Sequence, residues 1–526
     1  MIRTPSGSKI NKNTLVVVSC CLVFALISSL FLLKANYIIY EWDSHRYLES
    51  GKNLVTGQGF TSPSGKAGLW FPPFYPLLIG IFYKMIGRLE LAGHLVSVSA
   101  FLISIVLFFR LAKLIYNAST AYVTVILFAT HGLILEYSHK VYTHSVDILL
   151  IIGALYAAVS ISKAKSLRYG NFILLGTILS CAILNRPENI ILSLALLTAL
   201  FIQSREKLSK KALAFICLAV MFCIILFPYA HFLYKHTGRW ALTYKMVNLK
   251  YFGYLTSREP LAAEKTFFSD YYPGFSILEY IQENKAELLQ RYAGGMRLLS
   301  ERLTYSLYGG FGYILILIGF FGQKWDEDKK KTQLLLFSSL SFLAVVPFSD
   351  VKARYFIFTM PVFLLWTASG LERLFTFMKN NLKLSRKDLF WIISAALILL
   401  FFSTLNFLIT QKNNAKETLP FEYKEIGLWM KNNIRDIEDK KISSRESLIT
   451  FYSQGQWLYM PFVENYAQMI NRLKEEKVDY LIIDERTIPQ RRPHLAFLLN
   501  ENQEHPGLIK VHVIEKPKKI ILYALD

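Results

Sequence analysis

Along the first 410 positions, apolar runs of about 16 to 22 residues recur, several of them separated by short turns rich in basic residues. About twenty apolar residues in a helix cover the hydrocarbon thickness of a bilayer. A chain patterned this way folds, in the main, as a polytopic bundle of membrane helices. With 53% of its residues hydrophobic and only 18% charged, it lacks the polar surface that a soluble protein of 526 residues requires. The runs predict spans near residues 13–35, 91–112, 118–136, 144–161, 170–186, 188–203, 212–233, 306–322, 333–348, 354–370 and 389–409, about eleven in all. The first run is as long as a signal peptide but has no small-residue cleavage site before a polar segment, and reads as a retained span.

Charge distribution orients the bundle. The net charge is +21, and a charge of that size can mark a nucleic-acid binder. Here it clusters in the turns at Arg110/Lys113 and at residues 163–168, 205–211, 324–331 and 373–387. With the N-terminus in the cytoplasm, all of these turns fall on the cytoplasmic side, as the positive-inside rule expects. The basic residues are thus read as topology signals, with no nucleic acid as partner. The C-terminal domain then lies outside the cytoplasm. Cys20, Cys21, Cys181, Cys217 and Cys223 all lie within apolar runs and show neither metal-ligand spacing nor a disulfide framework.

Two outer loops and one domain remain. The loop at 36–90 opens with E-W-D-S-H-R-Y-L-E (41–49), where Asp43 and Tyr47 share a helical face. Gly57 and Gly59 end that helix and permit a turn. Counting 71–87 as a span would move every later basic turn outside. Its prolines Pro72, Pro73 and Pro76 suit a helix start, so it is predicted as a helix in the outer interface. The loop at 234–305 carries Trp240, Tyr244, Tyr251, Tyr254, Tyr271, Tyr272, Tyr280, Pro260 and Pro273. It can anchor at the interface or cover a site. Residues 411–526 alternate helix and strand, predicting a small α/β domain. Its helices are expected at 422–433 and 465–476, with strands at 447–453, 478–484, 510–515 and 519–524. The chain has no phosphate-binding glycine loop.

The chemistry-bearing residues gather in the outer turns. A carboxylate at the end of a span is costly unless it is solvated, paired or used. Asp43, with Glu41 beside it, can take a proton from an acceptor or hold a divalent cation, and it can equally be a solvated loop carboxylate. His139 and His144 lie in the next outer turn and can shuttle a proton or ligate a metal. Asp147 enters the following span one turn below His144 and can orient it. Arg186 and Glu188 flank Pro187, and Lys352, Arg354 and Tyr355 occupy a later outer turn. These cations, and Lys84 on the interfacial helix, can snorkel to lipid phosphate or bind a specific one. Carboxylate, histidine and cations on one face suit displacement at a phosphate-linked carbon.

In these features the chain resembles the polytopic GT-C glycosyltransferases that use lipid-linked sugars, in particular the glycosyltransferase 39 relatives. That group includes protein O-mannosyltransferases and the lipid A aminoarabinose transferase. The resemblance rests on Asp43 and Tyr47, on Gly57/Gly59, and on P-P-F-Y-P at 72–76. It extends to R-P-E at 186–188, to Arg354-Tyr355 with Pro361, and to L-P-F-E-Y-K-E-I-G and V-D-Y-L-I-I-D-E in the C-terminal domain. It implies a GT-C helical bundle (residues 1–410) with an extracytoplasmic α/β domain (411–526). The donor it implies is a polyprenyl-phosphate monosaccharide, attacked with inversion at the extracytoplasmic face, and the acceptor a glycan, lipid or protein. Asp43 would be the catalytic carboxylate and Arg354 would face the lipid phosphate. The chain departs from relatives in having Ser44 where many have Glu, and His144 where many have a carboxylate. A mixed Asp43/His144 site could still bind a divalent metal ion, so metal dependence stays open. The rival readings are a flippase for lipid-linked saccharide, an oligosaccharide ligase or polymerase, and a non-catalytic assembly subunit.

Overall fold

The computed structural model describes residues 12–35, 41–62, 65, 67–164, 166–245, 276–307, 310–349, 351–382 and 385–526, without the side chains of Ala35, Glu41, Trp42, Ile277, Arg386, Leu389, Phe390 and Lys416. Its helices begin with α1 (Lys12–Ala35), α2 (Glu41–Thr56), α3 (Phe74–Ile86), α4 (Leu89–Ile115), α5 (Ala118–Thr130) and α6 (Gly132–Tyr137). They continue with α7 (His144–Lys163), α8 (Tyr169–Asn185), α9 (Asn189–Gln203) and α10 (Leu208–Thr237). Then follow α11 (Ile277–Glu283), α12 (Lys285–Ser306), α13 (Gly310–Phe321), α14 (Glu327–Ser338), α15 (Met360–Asn381) and α16 (Arg386–Thr418).

The eleven expected spans are not found. Among the described residues five helices are long and apolar enough to cross a membrane, or seven if two bent helix pairs each count once. Apolar run length does not guarantee an unbroken helix. The run at 118–136 breaks at His131, whose backbone is extended (φ −69°, ψ 117°), leaving α5 with 13 residues. The turn at Pro187 separates α8, 17 residues, from α9, 15 residues. The runs at 306–322 and 333–348 each fall within a bent pair. Residues 353–359 are 3-10 turns, so α15 starts only at Met360 and carries Glu372, Arg373 and Lys379 in its second half. Within the expected loop at 234–305, residues 277–283 and 285–305 are helical, while Tyr251, Tyr254, Pro260, Tyr271, Tyr272 and Pro273 lie outside the described residues.

The bundle core is aromatic and aliphatic, with Phe101, Phe108 and Phe128 in mutual ring contact and Ile151, Leu155 and Leu179 buried around them. At one end of the bundle, α2 and α3 cross at Gly51 and Gly80. A methyl on Gly51 would sit 2.5 Å from the Pro76 carbonyl, and one on Gly80 2.5 Å from the Gly51 carbonyl. As expected, α2 ends at left-handed Gly57 (φ 86°) and α3 begins at its prolines, with Pro73 at the cap. The Tyr75 hydroxyl meets Ser97 at 3.0 Å, Ser97 donates to the Lys140 carbonyl, and Ser44 donates to the Val141 carbonyl. These bonds tie α2, α3, α4 and the turn before α7 together.

Helix α16 runs into the C-terminal domain, which contains α17 (Phe421–Asn433), β1 (Lys441–Ser444), α18 (Leu448–Ser453), β2 (Gln456–Tyr459), α19 (Tyr466–Glu475), β3 (Tyr480–Asp484), β4 (Leu508–Ile514) and β5 (Ile520–Leu525). The sheet order is β2-β1-β3-β5-β4, parallel among β1, β2 and β3 and antiparallel for β3–β5 and β5–β4. The expected strand at 447–453 is instead α18, and β1 and β2 were not anticipated; short apolar runs do not by themselves distinguish strand from helix. The domain docks at the α2 end of the bundle. His45 Nε2 and Ser447 Oγ are 2.6 Å apart, and the Glu90 carboxylate takes bonds from Lys424 (3.3 Å) and Tyr452 (3.2 Å).

Because Gly80 leaves no room for a side chain, Gly80→Leu should destabilise the protein by about 1–3 kcal/mol. Thermal unfolding in detergent beside Gly170→Leu, whose Cβ would meet open space on ordinary helical backbone, checks this. An unchanged transition for Gly80→Leu would refute the close α2–α3 approach.

Candidate active site

Four elements meet where the C-terminal domain docks. They are the first turns of α2, the turn 138–143 with the start of α7, the 186–188 turn, and the 3-10 turn Ala353–Tyr355.

Asp43 lies half-buried in the first turn of α2, where the positive end of the helix dipole favours a carboxylate. Tyr47 is one turn further on and 4% exposed, its ring 4.6 Å from Phe71 and 5.2 Å from Tyr75. Burial, and then the negative charge of Asp43, push the Tyr47 phenol well above its usual range. Tyr47 therefore stays a neutral hydroxyl beside Asp43. The charges of Arg186 and Glu188 also reach it.

His144 is the first residue of α7, 4% exposed, between the rings of Tyr137 (4.6 Å) and Tyr142 (5.3 Å). Neither ring nitrogen has a hydrogen-bond partner among the described residues. Arg186, Arg354, Lys140 and Lys245 all act on it electrostatically. Arg354 donates to the hydroxyls of Tyr142 (3.4 Å) and Tyr355 (3.2 Å). A buried polar ring facing several cations is a place for an anion with oxygen acceptors.

Arg186 is itself buried, with its Nε 3.9 Å from Asp147 and 3.8 Å from Glu188. Asp147 is fully buried and accepts from Asn189 (2.6 Å) and Asn185 (3.3 Å). Asn185 also donates to the Thr143 carbonyl at 3.2 Å, joining the 186–188 turn to the start of α7. Lys245 stands near enough to influence Glu188 as well as His144.

The structure thus brings together Asp43, Tyr47, His144, Arg186, Arg354 and Tyr355. Lys84 is exposed in the last turn of α3, nine residues or about 13 Å of helix rise beyond Tyr75. Lys352 is exposed at the start of its 3-10 turn. His139 is buried in a neighbouring network where its carbonyl meets His94 Nδ1 at 2.6 Å. The side chain of Glu41 lies outside the described residues. Residues not anticipated are Tyr137, Tyr142, Asn185, Asn189, Lys245 and His45. The i, i+4 pair of asparagines around R-P-E was the one local signal; nothing near Lys245 marks it.

Among the described residues no three of His, Cys, Asp and Glu converge to hold a metal ion. Asp43 and His144 offer two donors at most, fewer than a protein cage supplies.

Residues 71–231 match the family model of dolichyl-phosphate-mannose-protein mannosyltransferases. No curated protein matches the chain. Among solved structures, ArnT from Cupriavidus metallidurans in the apo state is 12% identical over 97% of each chain, with a TM-score of 0.59. The same protein bound to undecaprenyl phosphate gives 0.60, again at 12% identity and 97% of each chain. The archaeal oligosaccharyltransferase AglB from Archaeoglobus fulgidus, in complex with an inhibitory peptide and a dolichol-phosphate, is 13% identical over 88% of this chain and 69% of that one, with a TM-score of 0.55. The chain thus shares the fold of ArnT and AglB.

Asp147→Ala, by stripping a buried guanidinium of one carboxylate, should cost about 3 kcal/mol, with Asp147→Asn milder because it keeps part of the hydrogen bonding. Unfolding monitored in detergent measures both. Equal stability of Asp147→Ala and wild type would show that the pair does not hold the turn.

Proposed function

We propose that this protein is a membrane glycosyltransferase that moves a monosaccharide from polyprenyl phosphate to a glycan, lipid or protein acceptor at the extracytoplasmic face. The observation that carries the reading is the buried ring of His144, without a hydrogen-bond partner among the described residues and within electrostatic reach of Arg186, Arg354 and Lys245, while Arg186 and Asp43 both act on Tyr47. The fold shared with undecaprenyl-phosphate-bound ArnT supports it. The basic turns support a cytoplasmic N-terminus and an extracytoplasmic site and C-terminal domain.

In this reading the acceptor oxygen or nitrogen attacks the anomeric carbon from the side opposite the phosphate. Asp43 takes the acceptor's proton as the new glycosidic bond forms. The bond between the anomeric carbon and the phosphate oxygen breaks, its electron pair leaves with the polyprenyl phosphate, and the configuration inverts. Arg354, Arg186 and Lys245 hold the growing phosphate charge, and a neutral His144 ring donates one hydrogen bond to it. Tyr47 keeps its proton and donates a hydrogen bond to the donor sugar or to Asp43. A single carboxylate suffices as base, and no step runs through a metal. His45, two residues from Asp43, acts as a positioning residue through Ser447 of the C-terminal domain.

The gathering of charge at helix ends favours transfer over flipping, since transporters place their ionisable groups near the membrane midplane. In proteoliposomes with polyprenyl-phosphate monosaccharides, Asp43→Asn should lower turnover by about 10²- to 10⁴-fold with donor affinity retained. Undiminished turnover in that variant sinks the assignment of the base. Arg354→Ala should weaken donor binding by about 10- to 100-fold, the worth of a charged hydrogen bond. His45→Ala should lower kcat and leave the donor KM unchanged; a rise in KM alone would instead put His45 in the donor site.

A further inference from the structure

A cavity lies at the other end of the bundle. It occupies about 240 Å³ between the C-terminal ends of α7 and α9, the starts of α8 and α10, and α14. Ser162 on its wall is eighteen residues along α7 from His144, about 27 Å of helix rise, so the cavity sits at the opposite membrane face. Its volume equals that of about eight waters at their liquid share of roughly 30 Å³, enough for a phosphodiester headgroup.

Topology signalling alone requires only solvated lysines in a turn. Here Lys211 and Lys331 are half-buried in the cavity wall, and neither has a carboxylate partner among the described residues. Lys211 rests over the Phe201 ring at 5.2 Å. Arg205 adds a third cation at the rim, bonded to Glu327 at 3.1 Å. The lining's carboxylate, Glu206, faces Lys210 at 3.6 Å. Below the cations the wall turns apolar at Phe172 and Phe215, and the adjoining α10 surface exposes Leu213 and Ile216. Cations above an apolar wall at the end of a membrane bundle match a molecule with a phosphate and acyl chains. A free phosphate would leave the apolar half unused.

We propose that this cavity binds the phosphate headgroup of an anionic phospholipid from the leaflet opposite the candidate active site, with Lys211 and Lys331 as its principal contacts. The site stands apart from the donor site and does not depend on the transferase reading.

Native mass spectrometry of the full chain in detergent, titrated with phosphatidylglycerol, phosphatidylcholine or inorganic phosphate, tests it. Wild type should bind phosphatidylglycerol in preference to phosphatidylcholine, and inorganic phosphate should not displace it. Lys211→Gln with Lys331→Gln should bind about twenty-five-fold more weakly, from about fivefold per lysine. Arginine at both positions should restore binding, separating loss of charge from loss of fold. The proposal is overturned by equal binding of both lipids, by an unaffected glutamine variant, or by failure of the arginine variant to recover. Displacement of the lipid by inorganic phosphate at similar concentration also overturns it, by identifying a site for soluble anions.

Discussion

A buried guanidinium in an apolar bundle must be offset by opposite charge, and Arg186 meets that requirement with ion pairs to Asp147 at 3.9 Å and Glu188 at 3.8 Å. Asp147 is in turn held by two asparagines from the helices on either side of the turn. Much of the site geometry follows from this arrangement. Asn185 ties the turn to the residue before His144, and the charge of Arg186 reaches Tyr47 on α2 and Tyr355 beyond. Three stretches distant in sequence are thereby fixed around one charge. What remains beside them is a buried imidazole with no hydrogen-bond partner among the described residues, within electrostatic reach of several cations.

The C-terminal domain belongs to the same construction. In open α/β sheets the carboxyl ends of neighbouring parallel strands form the customary recognition edge. Here the segment after β1 contributes Ser447 to His45, so that edge faces the helix bearing Asp43. The Glu90 bonds to Lys424 and Tyr452 fasten α17 and α18 onto the start of α4. Rigid support for a base is worth as much as its chemistry, because a proton acceptor works only at hydrogen-bond distance.

Local features were legible in the sequence. The helical spacing of Asp43 and Tyr47, the glycines that end α2 and the prolines that start α3 each reflect the backbone preferences of a few residues. The parity of the basic turns drew His144, Arg186 and Arg354 to one face before any contact was known. Other features were not legible, for physical reasons. Hydropathy measures how apolar a run is, not whether the helix through it continues, so the break at His131 and the 3-10 turns before α15 reduced eleven expected spans to five or seven. The run 447–453 has a strand's composition, yet it packs as a helix against α17, where Gly427 lies beneath Tyr452. Lys245 and His45 owe their roles to tertiary contact alone. Asp147 was seen as a group below His144, but its grip on Arg186 depends on asparagines from two other helices.

The most direct measurement is a structure of the full chain in lipid with a polyprenyl-phosphate monosaccharide bound. The account predicts the phosphate within hydrogen-bond reach of Arg354 and His144, and the anomeric carbon turned so that an acceptor held by Asp43 meets its free side. Phosphate density away from both residues, or the sugar on the side of the site remote from Asp43, would contradict it.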